Sequence, residues 1–220
     1  MKTRSKDVKL LLSIISILAF AGCQGTGQTV NFNPHALSSP SPKTATVDGE
    51  SLTIVVEPFQ DARPHQERLG SRTHLWGGIT HFNAWNGNIS EGMATLALDY
   101  LQQHKQWHTS QGTDSSTQTN PTRDVTLTGT ILSLNANAKS GFGFTDITID
   151  MRVRFEAKNT ADGSTVRMVL GAKGSDTVAI FSPEDVEQLL NLVAYDLYKQ
   201  LFQDLAVKNR AFHLQSASGP

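Results

Sequence analysis

Apolar and polar residues alternate in three segments of the chain and predict three β-strands. The alternation is sharpest over 146–158, and it recurs over 124–136 and 165–170. A period of two with one apolar face is typical of an antiparallel sheet that packs on a core on one side and meets water on the other. The β-branched run SLTIVVEPF at 51–59 predicts an earlier strand that ends at Pro58, because proline cannot donate to a central ladder.

Two further segments repeat their apolar residues at the spacing of an α-helix. The first begins at Asn88-Ile89-Ser90-Glu91, which resembles a capping box, and ends near 105–107. The second has Ser182 as its predicted N-cap and Pro183 at the first helical position. The elements therefore follow the order strand, helix, three strands, helix. This order predicts an α+β fold, a two-layer sandwich in which an antiparallel-rich four-stranded sheet carries two helices on one face.

The first 22 residues predict a lipoprotein signal peptide. A basic start leads into an apolar run of eleven residues, LLLSIISILAF, which is too short to span a bilayer and fits a signal peptide. Ala21-Gly22-Cys23 then resembles the lipobox of bacterial lipoproteins, although Phe20 stands where Leu is usual. Cleavage there would leave Cys23 as the first residue, to be acylated with chains such as palmitate. Ordinary signal peptidase, cutting after Ala21, would instead leave a soluble protein with a free thiol.

The rest of the chain divides into a tether, one domain and a tail. Residues 23–50 are rich in Ser, Pro, Thr, Asn and Gly and predict a flexible tether. Residues 51–207 are predicted to form a single α/β domain, and 208–220 a loose C-terminal tail. Cys23 is the single cysteine, so no disulfide forms within the chain.

Charge and motifs argue against several function classes. Removing the signal peptide takes away four basic residues and one acidic residue, which changes the net charge from −1 to −4 and argues against nucleic-acid binding. The chain has no nucleophile elbow, P-loop or H-E-x-x-H motif. His65, His74 and His81 are interpreted as polar loop residues rather than metal ligands. Asp61 and Arg63 are expected to pair with each other or to cap the loop. We therefore expect no enzyme activity, no cofactor and no metal, with a hydrolase of unrecognised site as a third alternative.

The loop over 60–87 is longer than ordinary connections and overlaps the stretch HLWGGITHFNAWNGN at 74–88. Two interpretations of its aromatic rings stay open: they close one end of the sandwich, or they offer an exposed surface to a protein partner, lipid or glycan. The polar face of the sheet is a second candidate surface. The candidate partner surface consists of Trp76, Phe82, Trp85, Arg152 and Arg154.

The lipobox, the tether and the stretch VVEPFQDAR before an amphipathic helix resemble bacterial envelope lipoproteins. These include the lipopolysaccharide-assembly lipoprotein, lipoproteins with a domain like the N-terminal domain of TolB, and auxiliary lipoproteins of envelope ABC-type transport systems. Gln24 follows the cysteine where Asp would retain a lipoprotein in the inner membrane, so the resemblance implies the outer membrane, on the periplasmic side. It also implies a non-enzymatic protein that binds a protein partner in an envelope assembly or transport system. The alternative is a receptor for a small ligand, lipid or glycan that uses loop 74–88.

Overall fold

A computed structural model of the protein describes residues 28–30, 52–84, 89–104, 107–112 and 123–215. Within these ranges it has eleven strands and two helices. The strands are β1 (Gln28–Val30), β2 (Thr53–Val56), β3 (Gln60–Asp61), β4 (Arg68–Thr73), β5 (Ile79–Ala84), β6 (His108–Gln111), β7 (Val125–Ser140), β8 (Thr145–Asn159), β9 (Thr165–Val178), β10 (Leu205–Lys208) and β11 (Ala211–Leu214). The helices are α1 (Ile89–His104) and α2 (Pro183–Gln203). No helix in these ranges is both long enough and apolar enough to cross a membrane.

Strands β1 to β9 form one mixed sheet around β7, which is 16 residues long. One edge of β7 pairs with β8 in antiparallel orientation, and β8 pairs with β9 in the same way. The other edge of β7 pairs in parallel with three short strands in succession, β2, β3 and β4. Strand β6 extends the sheet beyond β2, while β5 and then β1 extend it beyond β4. Strands β10 and β11 form a separate hairpin.

The predicted four-stranded sheet is therefore wrong, since the described sheet has nine strands and mixes parallel with antiparallel pairs. The strands that the sequence analysis missed are short and mostly polar, such as RLGSRT in β4 and HTSQ in β6, and show no apolar period. They become strands because their backbones satisfy the hydrogen-bonding groups along β7 and β2. Gly70 shows how closely they approach: with φ +156, a Cβ atom there would lie 1.8 Å from the carbonyl oxygen of Ala136 on β7.

Two predicted domain boundaries also need correction. Strand β1 lies inside the segment predicted as a flexible tether, and it pairs with β5. The predicted boundary at residue 207 falls inside the β10–β11 hairpin, which turns at Asn209 and Arg210, both with positive φ. Phe212 of β11 is wholly buried, so this part of the predicted tail belongs to the core.

The core lies between the inner face of the sheet and the two helices. Every second residue of β8 from Thr145 to Asn159 is buried, as its alternating sequence predicts. Helix α2 packs across β8 and β9, and α1 lies beside α2 against β2 and β6. Ser182 is the N-cap of α2, as predicted, and its backbone N–H donates to the Asp185 carboxylate at 2.7 Å. The outer face of β7, β8 and β9 carries no helix of the described part.

Candidate functional site

Three turns carry most of the large apolar side chains that the described structure exposes. They are the β4–β5 turn, the β7–β8 turn and the segment between β9 and α2. Six of the nine exposed large apolar side chains in the described ranges lie at these turns, and we call them the apolar end: Leu75, Trp76, Ile79, Phe142, Phe144 and Ile180. The exposed fractions of Trp76, Phe142 and Ile180 are 92%, 88% and 89%, so these three side chains project almost entirely into solvent.

Strand register brings the three turns to the same end of the sheet. Thr73, at the end of β4, pairs with Lys139 near the end of β7. Lys139 pairs with Asp146 near the start of β8, and Asp146 pairs with Thr177 near the end of β9. Each turn therefore leaves the sheet directly beyond one row of paired residues.

The first turn is closed by its own backbone and by His74. The His74 amide donates to the carbonyl of Gly78 at 2.8 Å, and the Gly77 amide donates to the carbonyl of His74 at 3.0 Å. Gly77 has φ +94, a conformation that favours glycine. The His74 ring Nε2 lies 2.7 Å from the Thr80 hydroxyl, so this imidazole supports the turn that presents Trp76.

The other two turns rest on a packed base. The Phe144 ring covers Gly141, where a Cβ atom would lie 2.5 Å from the ring. Phe181 stacks on Phe82 with ring centroids 6.0 Å apart, and the Arg72 guanidinium lies 4.1 Å from the Phe181 ring centroid. Arg72 Nε also donates to the Ser140 hydroxyl at 3.0 Å. Ring packing and a hydrogen bond therefore hold the base of the two turns that carry these exposed side chains.

The structure separates the aromatic residues that the sequence analysis grouped together. Trp76 is exposed, whereas Phe82 is wholly buried and therefore drops out of the candidate partner surface. Phe82 lies on β5, a strand inside the stretch predicted as a loop, and its side chain faces the core. Trp85 lies outside the described residues. Phe82 therefore packs in the core and Trp76 faces solvent, while binding of a partner, lipid or glycan by the exposed ring stays a prediction.

The two candidate arginines lie far from the tryptophan, on the outer face of β8. Arg152 and Arg154 are both exposed and point to the same side of the strand. We call this pair the basic strip. No ion pair of the described residues includes either guanidinium.

The motif PFQDAR has a structural role. Arg63 is buried and donates from Nε and Nη2 to the two carboxylate oxygens of Asp61, at 2.9 and 2.7 Å. Its guanidinium also donates to the carbonyls of Gln66 and Arg68, both at 2.8 Å. The pair therefore holds the loop between β3 and β4, which agrees with the interpretation of these residues as mutual partners. Among the described residues no group of three or more His, Cys, Asp and Glu side chains is arranged to hold a metal ion.

Sequence reasoning missed Phe142, Phe144 and Ile180 as members of the apolar end. The stretch KSGFGF has a signal that points to them, because two phenylalanines between glycines in a turn have no strand or helix period that would bury them. The strand register that places this turn beside Trp76 could not be derived from the sequence.

Comparison with known proteins shows the fold. No known family and no curated protein matches the sequence. The crystal structure of a Xanthomonas campestris protein of the family DUF330 is similar with a TM-score of 0.53 and 7% identity, over 80% of this chain and 92% of that one. This likeness shows a shared fold.

Two bacterial lipoproteins are also among the structural neighbours. The match to lipoprotein GNA1162 from Neisseria meningitidis has a TM-score of 0.34 and 8% identity, over 69% of this chain and 99% of that one. The match to a minor lipoprotein from Acinetobacter baumannii has a TM-score of 0.33 and 10% identity, over 68% and 90%. The narrower resemblance to the TolB-like and lipopolysaccharide-assembly lipoproteins stays a prediction.

Proposed function

We propose that the protein is a non-enzymatic lipoprotein of the bacterial outer membrane that faces the periplasm and binds a protein partner of an envelope assembly or transport system. Cys23 carries the lipid in this proposal, and the sequence Ala21-Gly22-Cys23 supports it. The basic strip is the observation that supports partner binding. It accepts an acidic segment of the partner on the outer face of the sheet.

The neighbours of the basic strip leave its guanidinium groups accessible. On β9, Arg152 pairs in register with Gly171, and Arg154 pairs with Val169. Gly171 contributes no side chain, and a Cβ atom there would meet only the Met151 carbonyl oxygen, at 3.7 Å. The partners of both arginines on β7 are hydroxyl residues rather than acids. No carboxylate therefore lies directly across the sheet from either arginine.

The acidic residues next to the basic strip along β8 pair with other basic side chains. Asp150 forms an ion pair with Lys173. Glu156 accepts a hydrogen bond of 2.7 Å from Arg167 Nε, and this bond lowers the pKa of the Glu156 carboxyl. Arg152 and Arg154, whose Cα atoms lie about 7 Å apart as alternate residues of a strand, are left facing water. Planar guanidinium groups favour carboxylates, which they bind through two parallel hydrogen bonds.

Affinity capture from detergent-solubilised envelopes tests the partner. The parent chain is compared with the Arg152→Gln/Arg154→Gln double variant and with a charge-matched control, Lys199→Gln/Lys208→Gln, whose lysines are exposed elsewhere. We expect the strip variant to lose roughly tenfold or more of the captured partner and the control to retain it, because removing paired charges at an interface weakens binding. Equal capture by all three chains, or no partner captured by the parent, contradicts the proposal.

The anchor is tested separately by cell fractionation. Cys23→Ser should abolish incorporation of labelled palmitate and lower the share of the protein that is found in the membrane fraction. Gln24→Asp should move the lipidated protein from the outer to the inner membrane. Equal membrane association of the Cys23→Ser chain places the anchor elsewhere.

A further inference from the structure

We infer that the apolar end inserts into the lipid surface of the same membrane that holds the anchor, so that the folded domain stands with this end on the bilayer. The inference rests on lipidation of Cys23 in the proposed function. Two independent features support it, the direction of β1 and the chemistry of the three turns.

The direction of strand β1 places its N-terminal residue, Gln28, nearer to the apolar end than Val30 is. It pairs in parallel with β5, and Gln28 lies opposite Phe82. Strand β5 begins at Ile79, directly after the first turn, and runs away from it. The N-terminal end of β1 therefore points toward the apolar end. Ile79 lies three residues before Phe82, about 10 Å along the strand.

The anchor cannot lie far from this point. Four residues lie between Cys23 and Gln28, and the five steps from Cα to Cα span at most about 18 Å when fully extended. About 10 Å of this reach is needed to pass the start of β5, so Cys23 lies at most roughly 8 Å beyond the first turn. The bilayer that receives the acyl chains is thus within contact range of Trp76. A tether over 23–50 would allow the domain to stand away from the membrane. Because β1 pairs with β5, only the short stretch from Cys23 to Gln28 separates the lipid from the sheet.

The chemistry of the turns suits a bilayer surface. Residues 74–78, 141–144 and 179–181 contain no Asp, Glu, Lys or Arg, so their insertion desolvates no side chain that is always charged. The most exposed side chains, Trp76, Phe142 and Ile180, project from three separate turns. Tryptophan is enriched at membrane interfaces, where its ring meets acyl chains and its N–H meets polar groups. Exposed apolar patches of this kind mark contact sites.

Vesicle binding of the full chain with Cys23→Ser tests the insertion without the lipid. The probe is vesicles of phosphatidylethanolamine and phosphatidylglycerol. The tip variant adds Trp76→Ser, Phe142→Ser and Ile180→Ser. The control instead adds Val169→Ser, Leu192→Ser and Leu214→Ser, which removes three apolar side chains that are exposed elsewhere. We expect at least tenfold weaker co-sedimentation of the tip variant and no change in the control. Equal binding by the tip variant and the control overturns the inference.

A second measurement tests whether Trp76 enters the bilayer when the chain is lipidated. The lipidated chain with Trp85→Phe and Trp107→Phe retains Trp76 as its single tryptophan. In vesicles with brominated acyl chains, we expect Trp76 fluorescence to be quenched and shifted to shorter wavelength. Unquenched fluorescence from a membrane-bound chain overturns the inference while the anchor stands. Palmitate incorporation that persists in the Cys23→Ser chain, together with weaker vesicle binding by the tip variant, contradicts the anchor alone.

Discussion

The side-chain amide of Asn159 makes hydrogen bonds to both backbone groups of Phe212. Asn159 Nδ2 donates to the Phe212 carbonyl at 2.9 Å, and the Phe212 amide donates to Asn159 Oδ1 at 2.8 Å. Both residues are wholly buried. One side chain at the end of β8 therefore completes the hydrogen bonding of the C-terminal hairpin, 53 residues further along the chain.

Replacing Asn159 by Ala should lower the free energy of unfolding by about 2–4 kcal/mol, because two buried backbone groups lose their partners. Asn135→Ala is the matched control, since Asn135 is exposed on a neighbouring strand. Asn135→Ala should change the free energy of unfolding by less than about 0.5 kcal/mol. Urea unfolding of both variants measures the difference. Similar losses would show that the link between Asn159 and Phe212 does not stabilise the fold.

Separating Asp61 from Arg63 should be costly. Arg63→Ala removes the guanidinium from a largely buried carboxylate and from two carbonyls, and we expect a loss of about 3–5 kcal/mol. Asp61→Ala/Arg63→Ala should lose less than the sum of the single variants, because neither buried charge is then left alone. A double-mutant cycle by chemical unfolding measures the coupling. Additive losses would mean that each residue contributes separately.

Leu190 and Leu192 lie two residues apart on α2 and differ in burial. Leu190 is wholly buried, whereas 52% of Leu192 is exposed. Leu190→Ala should lower the free energy of unfolding by about 2–5 kcal/mol, the cost of emptying a core site. Leu192→Ala should cost less than about 0.5 kcal/mol. A change in Leu190→Ala as small as that of the control would place Leu190 at the surface.

The tyrosines predict a loss of stability at alkaline pH. Burial, together with the nearby Tyr195, raises the pKa of Tyr100 to about 12, and burial raises the pKa of Tyr198 well above its usual value. Tyr198 donates to the Met93 carbonyl at 2.6 Å, which only its protonated form can do. The folded state thus favours the neutral phenols, and their contribution is complete below the unfolded pKa of about 10.

Stability should therefore fall as the pH rises from about 10 toward 12. Urea unfolding across this window measures the fall, and tyrosinate absorbance follows the titration. Tyr198→Phe should show a smaller alkaline loss than the parent, since one buried ionisable phenol is gone. An unfolding free energy that stays constant across the window would contradict the burial of these phenols.

The sequence by itself determined the elements that carry their own period. The apolar alternation of β8 and the helical stripe of α2 place their buried faces correctly, because each pattern matches the geometry of a single element. Ser182 and Pro183 locate the start of α2 for the same reason, since capping involves residues within one turn. The pairing of Asp61 with Arg63 could also be predicted, because the two residues lie close in sequence.

Tertiary structure decided everything that depends on distant partners. The strands β4, β5 and β6 exist because the long strand β7 and its neighbour β2 offer backbone groups that must be paired, and no local apolar pattern records this. Register then sends Phe82 into the core and leaves Trp76 in solvent, although the two residues share one stretch of sequence. The apolar end itself arises because three turns, the first and last of them more than 100 residues apart in sequence, leave the sheet beyond the same row of paired residues. Hydrogen bonds between strands, not sequence proximity, set that row.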